Sequence, residues 1–202
     1  MMMLAFSMEA VAQVNNGIPQ KNVEHLKFQG IPITGSMKLF HQKLTQKGYR
    51  FSTKIDGQEV FKGRYMGRNV EVSVYQDAGI VCAVEVTFLL GSKSEAYELQ
   101  GRLLGALRQK YPRLKDSDTD NGTFDDGYGG SIDQYVTYVP REIRGSIDYK
   151  NLLGEFVFSI SDIPMGDYSY MLEFRYVDEY NLPEWRAARK EYMCNKKDGM
   201  EL

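Results

Sequence analysis

The chain reads as an α+β protein of two tandem units. Each unit is an amphipathic helix followed by a four-stranded antiparallel meander, and a third helix closes the C-terminus. Three observations predict this. First, two helix ends repeat: Phe40 to Tyr49 and Leu103 to Tyr111 align at Leu44/Leu107, Gln46/Gln109, Lys47/Lys110 and Tyr49/Tyr111, with one gap at Gly48. Second, each helix is followed by stretches in which apolar residues alternate with wetter ones. Third, the connections between the first four strands are too short for the crossover that parallel pairing needs. The 202 residues include 14 Tyr and 10 Phe, enough apolar side chain for a packed core.

The N-terminus reads as the tail of a secretory signal peptide over residues 1–12, because Ala10-Val11-Ala12 before Gln13 has the small-x-small pattern of a cleavage site. The expected product is periplasmic or secreted. No Cys stands there to carry a lipid, and no later stretch is long and apolar enough for a spanning helix. Residues 13–27 form an extended leader with turn signals at Asn15-Asn16-Gly17 and Ile18-Pro19.

The first unit spans 28–91. Met37, Phe40 and Leu44 share one helix face, Thr34 or Ser36 caps its start, and Gly48 sits where a helix-ending glycine belongs. Strands follow at about Tyr49–Ile55, Glu59–Met66, Val70–Tyr75 and Ile80–Leu89, joined by Asp56-Gly57, Gly67-Arg68-Asn69 and Asp77-Ala78-Gly79. The second unit spans 92–180. Ser92 to Glu95 has the spacing of a capping box, and Ala96, Leu99, Leu103 and Leu107 point inward before Pro112 ends the helix. The pattern lapses over an Asp- and Gly-rich linker from Arg113 to Gly130. Strands resume at Ser131–Val139, Glu142–Lys150, Leu153–Ser161 and Asp167–Val177. Residues 181–202 read as the third helix and a fraying tail, with Pro183 near the first turn.

The tandem helix-plus-four-strand pattern resembles the fold of β-lactamase inhibitor proteins, and more closely that of exported proteins of unknown function from gut commensal bacteria. The residues that carry the likeness are Phe28 to Ser36, Lys47-Gly48-Tyr49 and Val139 to Asp148. The resemblance covers roughly residues 28–181 and implies a protein-binding module. The inhibitors staple their repeats with disulfides, and this chain lacks those cysteines, so inhibition of a β-lactamase is not carried over.

Chemistry-bearing motifs are few. Net charge is −2, with both signs interspersed, which argues against a nucleic-acid partner. No P-loop, nucleophile elbow, dinucleotide fingerprint or CxxC is present, and no cofactor is expected. Asp116 to Gly122 resembles the start of a calcium loop, but position six is Asn121 and position twelve is Gly127, so the acidic linker reads as solvated. His25 and His41 lack zinc spacing and read as surface residues. Cys82, in phase with Val84, Val86 and Phe88, reads as a core thiol. A bridge to Cys194 needs a geometry that spacing does not specify.

The expected function is an exported, non-enzymatic module that binds a protein or other macromolecule through its sheet. Val70/Val72/Val74, Val84/Val86/Phe88, Phe156/Phe158/Ile160 and Leu172/Phe174 are the apolar phases and should face the helices. The opposite phase, Glu71, Tyr75, Glu85, Tyr135, Met171, Glu173 and Arg175, then forms the binding face. Its mix of aromatic bodies, a flexible Met and both charges suits a protein partner. Tyr128 and Tyr138 add aromatic surface nearby. The alternative is a periplasmic hydrolase using clustered carboxylates such as Asp125 and Asp126.

Overall fold

The computed structural model describes residues 24–117, 121–125, 131–140, 152–165 and 168–181. Two short strands, β1 (Lys27–Phe28) and β2 (Ile31–Pro32), pair across Gln29-Gly30 and lead into α1 (Met37–Gln46). Ser36 caps α1 by accepting from the Leu39 N–H at 3.4 Å, which resolves the choice between Thr34 and Ser36. Gly48 follows at φ 89°, a left-handed value that suits a residue without Cβ. Met37, Phe40 and Leu44 are the buried face.

Next come β3 (Arg50–Ile55), β4 (Gln58–Tyr65), β5 (Arg68–Asp77) and β6 (Ile80–Leu90), each antiparallel to the one before. Two-residue turns join them. Asp56-Gly57, Met66-Gly67 and Ala78-Gly79 all have positive φ at both positions, as the hairpin turns that match strand twist require. Then α2 (Lys93–Lys110) starts on Ser92, whose hydroxyl accepts from Glu95 N–H at 3.2 Å. The Glu95 carboxylate reaches back to the Gly91 N–H at 3.0 Å, one residue before the cap, so the expected reciprocal pair is displaced by one position.

The expected linker is a correction. It contains β7 (Lys115–Asp116) and β8 (Gly122–Asp125), which both pair with β9 (Ser131–Pro140). Asn121 stitches the segment down: its amide donates to Ser117 O and accepts from Val136 N–H, both at 2.7 Å. Strands of two and four residues carry no readable alternation, so the sequence pattern lapses there. The expected strand Glu142–Lys150 lies outside the described residues. β10 (Leu152–Met165) pairs directly with β9, and β11 (Tyr168–Asp178) pairs with β10. A single 3-10 turn, Glu179–Asn181, follows.

Among the described residues, the result is an α+β molecule dominated by one antiparallel sheet of nine strands, ordered β3-β4-β5-β6-β11-β10-β9-β7, with β8 also on β9. The seam is β6 against β11. Reading outward from it, the strands run backward through the sequence on both sides. At one edge β3 is exposed at all six positions and bulges between Phe51 and Thr53. At the other, β7 and β8 share β9 as two separate pieces.

Register places Phe61, Val72, Val86, Phe174 and Phe158 in one row across five strands, and none of them is exposed. This row faces the helices. Ala96, Leu99, Leu103 and Leu107 of α2 pack with it, as do Phe40 and Leu44 of α1. All the apolar phases expected to face the helices are buried, Leu44 and Leu107 among them. Burial of so many large side chains at about 25 cal/mol per Å² is the main force holding helices to sheet. Gly63 has a specific role on this face: the Tyr49 ring lies where a Cβ would stand, 2.3 Å from its position. Among the described residues, no helix is long and apolar enough to cross a membrane.

Candidate functional site

The sheet face away from the helices is organised in rows by strand register. Ser73, Glu85, Arg175, Val157 and Val136 form one row. Glu85 and Arg175 are direct partners across the seam, and they bond. Arg175 Nε–H donates to Glu85 Oε2 at 2.7 Å, and an Nη2–H of the same fork closes on that oxygen. Tyr75 donates its O–H to Glu85 Oε1 at 3.0 Å, and the guanidinium lies 5.4 Å over the Tyr75 ring. Glu85 is buried, so this set of donors is what makes its charge tolerable. Burial, and then the Glu85 charge, push the Tyr75 phenol up to about 12.

One pleat along, Glu71, Thr87, Glu173, Ser159 and Gln134 form the next row. Glu173 is half-buried and stands between the Thr87 and Ser159 register partners. Burial raises its carboxyl above the ordinary value; the Glu85 charge raises it further, and Arg175 only partly offsets this. No hydrogen bond or ion pair from the described residues reaches Glu173. Beyond it, Met171 is half-buried opposite Leu89, which is exposed.

Tyr75, Glu85, Met171, Glu173 and Arg175 therefore share one face. Tyr135 does not, which corrects the expectation. It is the register partner of Phe158 and its ring packs on that of Phe158, so it lies on the helix side, where burial and then the nearby Asp116 carboxylate raise its phenol. The run Tyr135-Val136-Thr137-Tyr138-Val139 is apolar in both phases, and nothing in it marks which one points inward.

The expected open face is also only partly open. At its far end, Ala83, Val177, Glu155 and Tyr138 are all buried, and only Tyr75 in that row is half-exposed. Cys82 belongs to this end. It is a buried free thiol, but it stands at the bulge in β6 and packs with Ala83, Val177 and Tyr75, apart from the main core. A bulge shifts the pleat, so phase counted from Val84 places the thiol on the wrong side. Burial pushes the thiol up to about 11, which makes it a poor nucleophile at neutral pH. Cys194, Asp126, Tyr128 and the Trp185 helix lie outside the described residues.

Neither histidine is a free surface residue. His25 Nδ1 is 3.2 Å from both oxygens of the wholly buried Asp178, which also accepts from Leu26 N–H at 2.8 Å. His41 Nδ1 is 2.8 Å from Glu59 Oε2 and stacks on Phe51. Both pairs join elements far apart in sequence, which i+3 and i+4 spacing does not reveal.

Two further features were not legible in the sequence. On the helix side, Asp133 accepts from Lys93 Nζ at 2.8 Å, Tyr97 O–H at 2.5 Å and Thr123 O–H at 2.8 Å. Those three bonds hold its carboxyl down at about 2. Also on the helix side, a cavity of about 170 Å³ opens between the β1–β2 turn and α2. Tyr65, Phe174 and Tyr176 of the sheet and Leu103 and Leu107 of α2 line it, with Lys27 and Lys110. Among the described residues, no three His, Cys, Asp or Glu side chains converge as a cation site.

No protein-family model, no curated protein and no solved structure matches this chain.

Proposed function

We propose that the protein is an exported, non-enzymatic binding module that recognises a protein or other macromolecule through the sheet face around Glu173. One observation carries the reading: Glu173 is a half-buried carboxylate with no donor from the described residues, while its neighbour Glu85 is fully served by Arg175 and Tyr75. Holding an unserved charge partly out of water opposes folding. A cationic side chain on a partner would relieve that cost, and Met171, Leu89, Thr87 and Gln134 supply the mixed surface around it. Export rests on Ala10-Val11-Ala12. The two halves are read as tandem copies, each a helix with four strand positions, β7 and β8 together filling one of them. The strand order that runs backward on both sides of the seam supports that reading.

Affinity capture from the native cell-envelope fraction tests it. Wild-type protein should enrich a partner that Glu173→Lys loses and Met171→Ala weakens, each by about 1–4 kcal/mol if these are hot spots. Retention of the same partner by both variants excludes this face.

A further inference from the structure

The edge of the sheet formed by α1 and β3 carries one sign of charge. From Ser36 to Ile55 the chain holds five cations, Lys38, Lys43, Lys47, Arg50 and Lys54, and no Asp or Glu, in a protein whose net charge is −2. All five are exposed, and none is bridged to a carboxylate among the described residues. Glu59 of β4, the register partner of Lys54, is taken by His41 at 2.8 Å. The His41 ring also stacks on Phe51, so helix and edge strand form one continuous surface. α1 turns Met37, Phe40 and Leu44 inward, which leaves Lys38, Leu39, Lys43 and Lys47 outside. Three large apolar side chains stand among the cations: Leu39, Phe51 and Ile55, each about half exposed. Charge on an edge strand guards it against pairing with other edges. That accounts for Arg50 and Lys54, but not for the lysines of α1 or for the three apolar side chains.

We infer that this rim docks on the surface of an anionic lipid bilayer, its cations against the headgroups and Leu39, Phe51 and Ile55 at the boundary of the acyl chains. Charge complementarity sets the sign of the partner, and two further features select a bilayer. Four of the five cations are lysines, point charges that suit mobile headgroups, where a fixed carboxylate or a nucleic acid favours the guanidinium fork. The apolar side chains stand on an outer helix face and on an edge strand exposed at every position, and a fluid interface accepts them there without a complementary pocket. Each Lys or Arg near an anionic leaflet strengthens partitioning about fivefold, so the rim needs no spanning helix to hold the surface. Glu173 lies on β11, four strands away, and the docking is independent of the binding proposed there.

Co-sedimentation of the full chain with vesicles tests the proposal. The protein should pellet with vesicles of phosphatidylglycerol and phosphatidylcholine in equal parts, and stay in solution with phosphatidylcholine alone. Affinity should fall about tenfold or more when salt is raised from about 0.1 M to about 1 M, where the Debye length shrinks from about 10 Å to about 3 Å. Lys43→Glu should weaken binding about tenfold or more, because it removes an attraction and adds a repulsion. Leu39→Ser combined with Ile55→Ser should weaken it severalfold with the circular dichroism of the fold unchanged, since both positions are exposed. Arg102→Glu, the same charge change at an exposed position of α2, should cost far less. Equal pelleting with neutral vesicles, equal losses in Arg102→Glu and Lys43→Glu, full affinity in Lys43→Glu, or no pelleting at millimolar lipid would overturn it. So would binding to soluble polyglutamate in place of vesicles, which would make an acidic protein the occupant.

Discussion

Asp133 and Glu173 are both carboxylates on strands of one sheet, one on each face, and their surroundings treat them in opposite ways. Asp133 is given three donors, two from α2 and one from β8, and its acidity increases. Glu173 is given burial and a neighbouring negative charge, and its acidity falls. The first carboxylate fastens a helix to the sheet. The second costs stability that its own chain does not recover. Unrelieved cost of this kind is where function is to be sought, because natural chains depart from local optimality at sites that must meet something else.

The largest test of the comparison removes what separates Glu85 from Glu173. Arg175→Met strips the buried Glu85 of its fork, leaving it the Tyr75 hydroxyl alone, and sets two carboxylates without a cation one pleat apart. We expect a loss of about 2–3 kcal/mol in chemical denaturation. A loss well below 1 kcal/mol would mean that water already serves both.

Glu173→Gln should act in the other direction. It removes the charge but keeps the shape, and should raise stability at neutral pH by about 0.5–1 kcal/mol. The sign follows from the raised carboxyl. The native state protonates Glu173 more readily than the unfolded chain does, so the penalty of its charge is absent at acid pH and grows as pH rises through the raised value. Denaturation midpoints of the variant and wild type should therefore converge in acid and separate toward neutrality. A destabilised variant would show that the carboxylate is already satisfied.

The smallest effect belongs to Asp133→Asn, about 0.5 kcal/mol at neutral pH because the cluster is solvent-screened. Here the folded value lies at about 2, below the ordinary 3.8. The stabilisation is complete above the unfolded value and is lost as pH falls through the folded one. The difference between variant and wild type should thus disappear on going below pH about 2; at neutral pH its sign is opposite to that of the Glu173 pair, the variant here being the less stable. Two profiles with the same slope would end the contrast.

How far these sites were legible depends on what periodicity can report. Period-two alternation correctly divided Val72 from Glu71 and Phe174 from Glu173, because polarity differs sharply between the phases. It could not divide Tyr135 from Val136, where both phases are apolar. Nor does alternation say whether a face is wet: Ala83, Val177 and Tyr138 hold the expected phase and are buried. The short edge strands and the Asp133 cluster depend on register between segments tens of residues apart, as does the cavity between α2 and the β1–β2 turn. Pattern within one segment carries no information about such pairings.

The two ends of the sheet have a consequence for the molecule among its own copies. An edge strand offers unpaired N–H and C=O groups to any other edge, and a long flat one invites fibril growth. Here β3 carries Arg50 and Lys54 and bulges between Phe51 and Thr53, so its rim is charged and bent. The far rim is interrupted, since β7 and β8 are two and four residues long and never form one continuous ladder. Among the described residues, the sheet finished this way presents no straight template at either end.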